Sequence, residues 1–125
     1  MIRLVLADDM PAVREVIRLG LQGAPGRFDV VGEAGDGESA LASIANLAPD
    51  VAILDVEMPG LTGLEVVSRL REQGVTTPVI LCTSSEPDLP VPLPAGVVAR
   101  LSKPFPLERL VQAVEDAAST LTEHH

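Results

Sequence analysis

The sequence has 125 residues, of which 46% are hydrophobic, 22% charged and 2% aromatic, and this length suits one compact domain. Eighteen acidic residues against nine basic ones give a formal net charge of −9. Such a charge argues against direct nucleic-acid binding, which needs cations to neutralise phosphates. The apolar runs are too short for a membrane span or a secretory signal, so we expect a cytoplasmic protein.

Five short runs rich in Val, Ile and Leu predict β-strands. Several of them are almost continuously apolar, which is typical of parallel strands buried on both faces of a sheet. Helical spacing lies between most of the strands, so the sequence predicts an open, right-handedly wound α/β fold. The predicted strands are Ile2 to Ala7, Phe28 to Glu33, Val51 to Leu54, Pro78 to Cys82 and Val97 to Leu101.

Four helices are predicted from apolar stripes that should face the core. Pro11 suits the first turn of the first helix, and Asp36 is a plausible N-cap of the second. The four stripes are Val13, Val16, Ile17 and Leu21; Leu41, Ile44 and Ala45; Leu64, Val67 and Leu70; and Leu107, Leu110, Val111, Val114, Ala118 and Leu121.

The alternation of strands and helices breaks between the fourth and fifth strands, where the chain reads SSEPDLPVPLPAG. This stretch contains Pro87, Pro90, Pro92 and Pro94. An interior proline costs a helix about 3 kcal/mol, so a regular helix is excluded here. We expect a proline-rich loop in place of a helix.

Three carboxylates follow strands that could be neighbours: Asp8 and Asp9 after the first strand, and Asp55 after the third. In an open α/β sheet, ligands bind beyond the carboxyl ends of the strands. Clustered carboxylates there would suit Mg²⁺. From spacing alone, a metal site and a purely structural role as helix cap and strand end are about equally plausible.

Two further residues favour a functional site. Thr83 follows the fourth strand and Lys103 the fifth, so both should project from the same edge as the aspartates. Lys103 is the only lysine in the chain, and a compact ammonium suits a single phosphoryl or carboxylate oxygen. The five residues together are far more specific than any one of them.

The motifs LADDMPAVRE, LDVEMPGLTGLE, PVILCTS and LSKPF resemble, in order and position, the receiver domains of bacterial two-component response regulators. The segment FDVVGEAGDGESAL is most similar to receivers of regulators with a C-terminal helix-turn-helix DNA-binding domain. The resemblance implies a flavodoxin-like, doubly wound sheet in the order 2-1-3-4-5. We expect residues 1–125 to form one receiver domain without an output domain among them.

The resemblance also implies roles for the site residues. Asp55 would accept a phosphoryl group from a histidine kinase or a phosphotransfer protein, Lys103 would pair with a phosphoryl oxygen, and Thr83 would bond another. Asp9 and Asp55 would bind Mg²⁺ directly, together with the backbone carbonyl of Glu57. Such a domain promotes its own phosphorylation and dephosphorylation but is not a turnover enzyme.

The resemblance implies one further metal contact, and the sequence differs from the family pattern at two places. Asp8 would reach Mg²⁺ largely through water. Arg100 stands at a switch position where the family usually has Tyr or Phe, and the proline-rich loop stands where the fourth helix should be. Both departures affect the region that normally carries the output and dimer surface, and homodimerisation stays open.

Two alternative functions belong to other classes. A phosphorylation-independent adaptor or dimerisation module is favoured by Arg100 and the prolines. A Mg²⁺-dependent phosphatase with an aspartyl nucleophile would need a second Asp two residues after Asp55, where this chain has Glu57. No membrane partner is expected.

Overall fold

The computed structural model describes residues 1–24, 27–84 and 89–123. Strands and helices alternate up to β4, which is followed directly by β5 within the described part of the chain. The elements are β1 (Ile2–Ala7), α1 (Pro11–Gln22), β2 (Phe28–Ala34), α2 (Gly37–Leu47), β3 (Val51–Asp55), α3 (Gly63–Glu72), β4 (Val79–Thr83), β5 (Val97–Ser102) and α4 (Leu107–Glu123). The predicted side chain of Leu121, and the terminal pair His124 and His125, lie outside what is described.

The five strands form one parallel sheet in the order β2-β1-β3-β4-β5, which confirms the predicted fold class. Ala7 of β1 lies beside Leu54 of β3, so the residues that follow them are neighbours too. On the other side, Asp55 lies beside Cys82, and Thr83 beside Ser102. The register therefore brings the carboxyl ends of β1, β3, β4 and β5 to one edge.

Four strands end one residue later than predicted, at Ala34, Asp55, Thr83 and Ser102. Asp55 is the last residue of β3, and Thr83 is the last residue of β4 rather than the residue after it. At the other end of β4, Pro78 lies outside the strand, because proline has no N–H to donate to a ladder. Its carbonyl nevertheless accepts a hydrogen bond from Ala52 N.

The sheet separates two hydrophobic layers. One layer packs side chains of β1, β3 and β4 against α2 and α3, with Ile44 and Leu70 fully buried. The other packs the opposite faces of the strands against α1 and α4, with Leu21 and Leu110 fully buried. Burial on both faces explains the near-continuous apolar sequences of the central strands.

Three members of the predicted helix stripes are exposed, one of them being Leu107 at the start of α4, which is 39% exposed. Val16 in α1 is 70% exposed, and Ala45 in α2 is also exposed, whereas Ala40 is buried in its place. Ile17 and Leu21 carry the contact between α1 and the sheet. The first two helix starts are as predicted: Pro11 occupies the first turn, and the Asp36 side chain accepts a hydrogen bond from Ser39 N at 2.8 Å.

The segment between β4 and β5, residues 84–96, is called the β4–β5 connection below. Its described part, Ser84 and residues 89–96, contains no helix, as the prolines predict. Leu89 is buried against the α2–α3 layer. Arg71 at the end of α3 donates to the carbonyls of Ala95, Val75 and Thr77 at 3.0, 2.6 and 2.9 Å. One guanidinium therefore fastens the connection to the α3–β4 turn.

Pro87 belongs to residues 85–88, outside the described part of the connection. Among the helices of the described chain, none is long and apolar enough to cross a membrane.

Candidate functional site

The acidic edge, as we call Asp8, Asp9, Asp55, Thr83 and Lys103, lies at the carboxyl ends of the strands. Asp8 is 3% exposed and Asp55 4% exposed, whereas Asp9 is exposed. Lys103 follows β5, and its N–H donates to the Thr83 carbonyl at 2.8 Å. All five predicted site residues thus lie at one edge.

Lys103 joins the two buried carboxylates. Its ammonium lies 2.8 Å from Asp8 Oδ2 and 2.8 Å from Asp55 Oδ2. Because Asp8 and Asp55 are buried, their like charges would repel strongly without a cation between them. The only lysine in the sequence therefore offsets one of the two buried negative charges.

Backbone groups fix the other oxygen of each buried carboxylate. Met10 N donates to Asp8 Oδ1 at 2.9 Å, and Glu57 N donates to Asp55 Oδ1 at 3.1 Å. The chain after Asp55 must also pass very close to the strand end. A Cβ atom at Gly63 would lie 2.6 Å from the Asp55 carbonyl oxygen, so only glycine lets α3 begin there without displacing β3.

The donor set suits a divalent cation. Asp8, Asp9 and Asp55 each offer a carboxylate oxygen, and these atoms all lie within 4.8 Å of one another. Hard oxygen donors with one member exposed to water are what Mg²⁺ prefers. The carbonyl of Glu57 follows Asp55 closely in the chain, and its role as a ligand stays a prediction.

The family resemblance implies that the Glu57 side chain overhangs the site, and the structure adds the contact that it makes there. The Thr83 hydroxyl donates to Glu57 Oε1 at 2.8 Å, and the Ser84 hydroxyl lies 3.4 Å from the same oxygen. Thr83 is fully buried whereas Glu57 is exposed. The glutamate therefore extends over the edge of the site and meets a buried hydroxyl.

The ionisation of the site reflects burial and these partners. Burial raises the pKa of Asp55 to about 6, against the effect of Lys103, and the Glu57 and Asp8 carboxylates add to the rise. Burial alone would lower the pKa of Lys103, but its hydrogen bonds to Asp55 and Asp8 raise it instead. Lys103 is thus a permanent cation beside a carboxylate that takes up a proton unusually easily.

Two neighbouring groups have shifted pKa values as well. Burial would raise the pKa of Glu57, but its interactions with Asp55 and Thr83 prevail and lower it. The buried thiol of Cys82, beside Asp55 in the sheet, has its pKa raised by burial to about 12. Cys82 is therefore an unreactive part of the core, as its apolar sequence context predicts.

Arg100 lies in β5 opposite Leu81, three residues before Lys103, and is exposed. It borders a groove of about 310 Å³ between β5 and α4, together with Arg109 and Asp116. Whether Arg100 moves on activation stays a prediction.

A feature missed by the sequence reasoning is an apolar groove of about 630 Å³ beside the acidic edge, called the α1 groove below. It reaches Ser84 and Lys103 at one end. Its apolar walls are Ala12, Val13, Val16, Ile17, Pro104 and Phe105. The excess of apolar residues in and just before α1, including the exposed Leu19 and the N-cap residue Met10, was a signal that this helix has more than one apolar face.

Comparisons with known proteins agree with this fold. A family profile described as the response regulator receiver domain matches residues 4–115. The transcriptional regulatory protein TrcR of Mycobacterium tuberculosis is 36% identical over 112 residues, which are 88% of this chain and 42% of TrcR. The chain spans between a third and just over half of the length of the curated relatives it matches.

Solved structures give the same picture. The signal receiver domain of the putative response regulator NarL from Mycobacterium tuberculosis has a TM-score of 0.84 and 37% identity, covering 94% of this chain and 96% of that one. A DNA-binding response regulator of the LuxR family from Staphylococcus aureus has a TM-score of 0.78 and 27% identity, covering 94% and 99%. This chain belongs to the response regulator receiver domain family.

Proposed function

We propose that the chain is a phosphoacceptor switch domain that receives a phosphoryl group on Asp55 from the phosphohistidine of a histidine kinase or phosphotransfer protein. One observation carries the proposal. Lys103 Nζ lies 2.8 Å from carboxylate oxygens of both Asp8 and Asp55, within a cluster of acidic oxygens that suits a divalent cation. Family membership supports the same function. The proposal places the reaction in the cytoplasm.

The transfer converts one phosphoryl linkage into another. An oxygen of the Asp55 carboxylate attacks phosphorus, and the phosphorus–nitrogen bond of the donor breaks. The imidazole departs with the electrons of that bond. Because its other ring nitrogen carries a proton, the departing imidazole is neutral. The product is an acyl phosphate on Asp55, with no release of a turnover product.

The residues of this chain divide the remaining work. Lys103 can exchange its bond with Asp55 for one with a phosphoryl oxygen, and the Thr83 hydroxyl can donate to another. Mg²⁺, when bound, would neutralise charge on the phosphoryl oxygens. Asp9, Asp55 and the Glu57 carbonyl would hold it directly, and Asp8 would do so through water.

Intact-mass analysis after incubation with acetyl phosphate tests this function. We expect the wild type to gain one phosphoryl group only with Mg²⁺, and Asp55→Asn to gain none. Asp29→Asn, an exposed aspartate of β2, is the matched control and should behave as wild type. Labelling that survives in Asp55→Asn would contradict the assignment. Failure of the wild type to bind beryllofluoride with Mg²⁺ would contradict the switch itself.

The α1 groove supports the proposed partner. A helix that carries phosphohistidine would need an apolar surface beside the acceptor, and the groove is continuous with Lys103. Val16, with 70% of its surface exposed, can lose its contacts without disturbing the core. In a histidine kinase assay that phosphorylates wild type, Val16→Asp should slow transfer about tenfold while leaving labelling by acetyl phosphate unchanged. Equal slowing with both donors would contradict this docking site.

A phosphorylation-independent adaptor is the second candidate. It is favoured by Arg100 at the switch position and by the absence of a helix in residues 89–96. Partner binding measured with and without beryllofluoride separates the two functions. An affinity that does not change on beryllofluoride binding would favour the adaptor.

A further inference from the structure

We infer that the Glu57 side chain is a latch that holds the Thr83 hydroxyl away from Asp55 until a phosphoryl group arrives. The inference rests on the proposed function, because it concerns how the same site is regulated. Glu57 would be a positioning residue, since it acts on the phosphoryl group only through Thr83.

The geometry of the latch is compact. Thr83 Oγ1 donates to Glu57 Oε1 at 2.8 Å, and the Glu57 N–H donates to Asp55 Oδ1 at 3.1 Å. Glu57 therefore binds the Thr83 hydroxyl through its side chain and the Asp55 carboxylate through its backbone N–H. Thr83 is fully buried at the end of β4, so rotation of its side chain is the movement available to it.

A threonine hydroxyl has one proton and can donate one hydrogen bond at a time. A proton given to Glu57 Oε1 cannot be given to a phosphoryl oxygen. A glutamate side chain is ordinarily ionised at neutral pH, and bonds to an ionised acceptor are stronger than those between neutral groups. The contact with Glu57 therefore competes with the contact that would stabilise the phosphorylated state.

Phosphorylation of Asp55 itself releases the Thr83 hydroxyl from Glu57. A phosphoryl group on Asp55 brings negative charge close to the Glu57 carboxylate, and like charges at this separation repel. Glu57 is exposed, so its carboxylate can turn into water with little cost. The released Thr83 hydroxyl is then available to the phosphoryl oxygens.

A double-mutant cycle isolates the latch from the simple effect of charge. We would measure the affinity for beryllofluoride at saturating Mg²⁺ in the wild type, Glu57→Ala, Thr83→Val and the double variant. Glu57→Ala should tighten binding in both backgrounds, because it removes a negative charge near an anion. The tightening should be about tenfold larger when Thr83 is present, as expected for one hydrogen bond to a charged acceptor.

Two controls keep the result specific. Thr83→Ser retains the hydroxyl and should restore the coupling to Glu57. In the free protein, the rotamer of Thr83, followed by NMR of its methyl group, should change in Glu57→Ala. An unchanged rotamer would overturn the latch.

The possible failures are distinguishable. Beryllofluoride binding by all four proteins, with the same effect of Glu57→Ala in both backgrounds, would overturn the latch and leave the proposed function standing. No beryllofluoride binding by any of them would overturn the proposed function, and the latch would fall with it.

Discussion

The acidic edge and the β4–β5 connection meet at β5, yet they are held together in different ways. At the acidic edge, one ammonium joins two buried carboxylates. The connection is held instead by the Arg71 guanidinium of α3, which binds the uncharged Ala95 carbonyl and two carbonyls of the α3–β4 turn. A change at the edge would leave a buried charge without its partner, whereas a change in the connection loses only local bonds. The contacts of the acidic edge therefore do not depend on a helix in residues 89–96 of the connection.

The largest effect should follow removal of the cation of the acidic edge. In Lys103→Met, Asp8 and Asp55 lose their shared cation, so we expect a loss of about 3 kcal/mol in the free energy of unfolding near neutral pH. Labelling by acetyl phosphate should fall about a hundredfold. Urea unfolding with and without Mg²⁺ checks the first point, and Mg²⁺ should restore much of the lost stability. A loss that Mg²⁺ does not reduce would contradict this electrostatic account.

The pH dependence of stability should show the buried carboxylate directly. Burial raises the pKa of Asp55 from 3.8 to about 6, so the folded chain binds this proton more tightly than the unfolded chain. The resulting stabilisation is complete below the unfolded pKa and is lost as the pH rises through about 6.

Asp55→Asn lacks this titration, so its stability relative to wild type should increase by about 2 kcal/mol between pH 4 and pH 7 without Mg²⁺. Unfolding curves in a metal chelator at several pH values measure the difference. Asp29→Asn is again the control, because Asp29 is exposed. A difference between Asp55→Asn and wild type that does not vary with pH would contradict a raised pKa at Asp55.

A smaller effect should follow disruption of the connection. Arg71→Met removes three hydrogen bonds to carbonyls, and we expect a loss of about 1–2 kcal/mol because water can replace part of them. Arg69→Met, at an exposed position of the same helix, should change stability by less than about 0.5 kcal/mol. Labelling by acetyl phosphate should be unchanged in both variants. A large loss of labelling in Arg71→Met would show that the two regions are not independent.

The smallest effect is expected at Pro90, which is exposed in the connection. Pro90→Ala gives the unfolded chain more freedom, so stability should fall by less than about 1 kcal/mol. Thermal unfolding measures this change. A much larger loss would mean that the proline stiffens the folded connection as well.

Most of the fold and the gathering of the acidic-edge residues could be predicted from the sequence. Buried parallel strands have continuous apolar sequences, and the residues after them must meet at one edge, so Asp8, Asp55 and Lys103 could be placed together. Prolines exclude a helix for local reasons, and the absence of a helix in residues 89–96 is confirmed.

The parts that the sequence did not reveal depend on tertiary packing. Periodicity shows that Val16 is on an apolar face of α1, but it cannot say whether the sheet covers that face. The contact of Glu57 with Thr83 depends on the rotamer of a long side chain. The carbonyls bound by Arg71 are brought together only when the chain folds.

Chemical mapping of the phosphoryl group tests the central assignment most directly. After labelling with acetyl phosphate and Mg²⁺, borohydride reduction converts an acyl phosphate on aspartate into homoserine, which peptide mass spectrometry locates. We predict homoserine at position 55 and unchanged residues at Asp8, Asp9 and Glu57. Modification at any of those three, with Asp55 intact, would contradict the account.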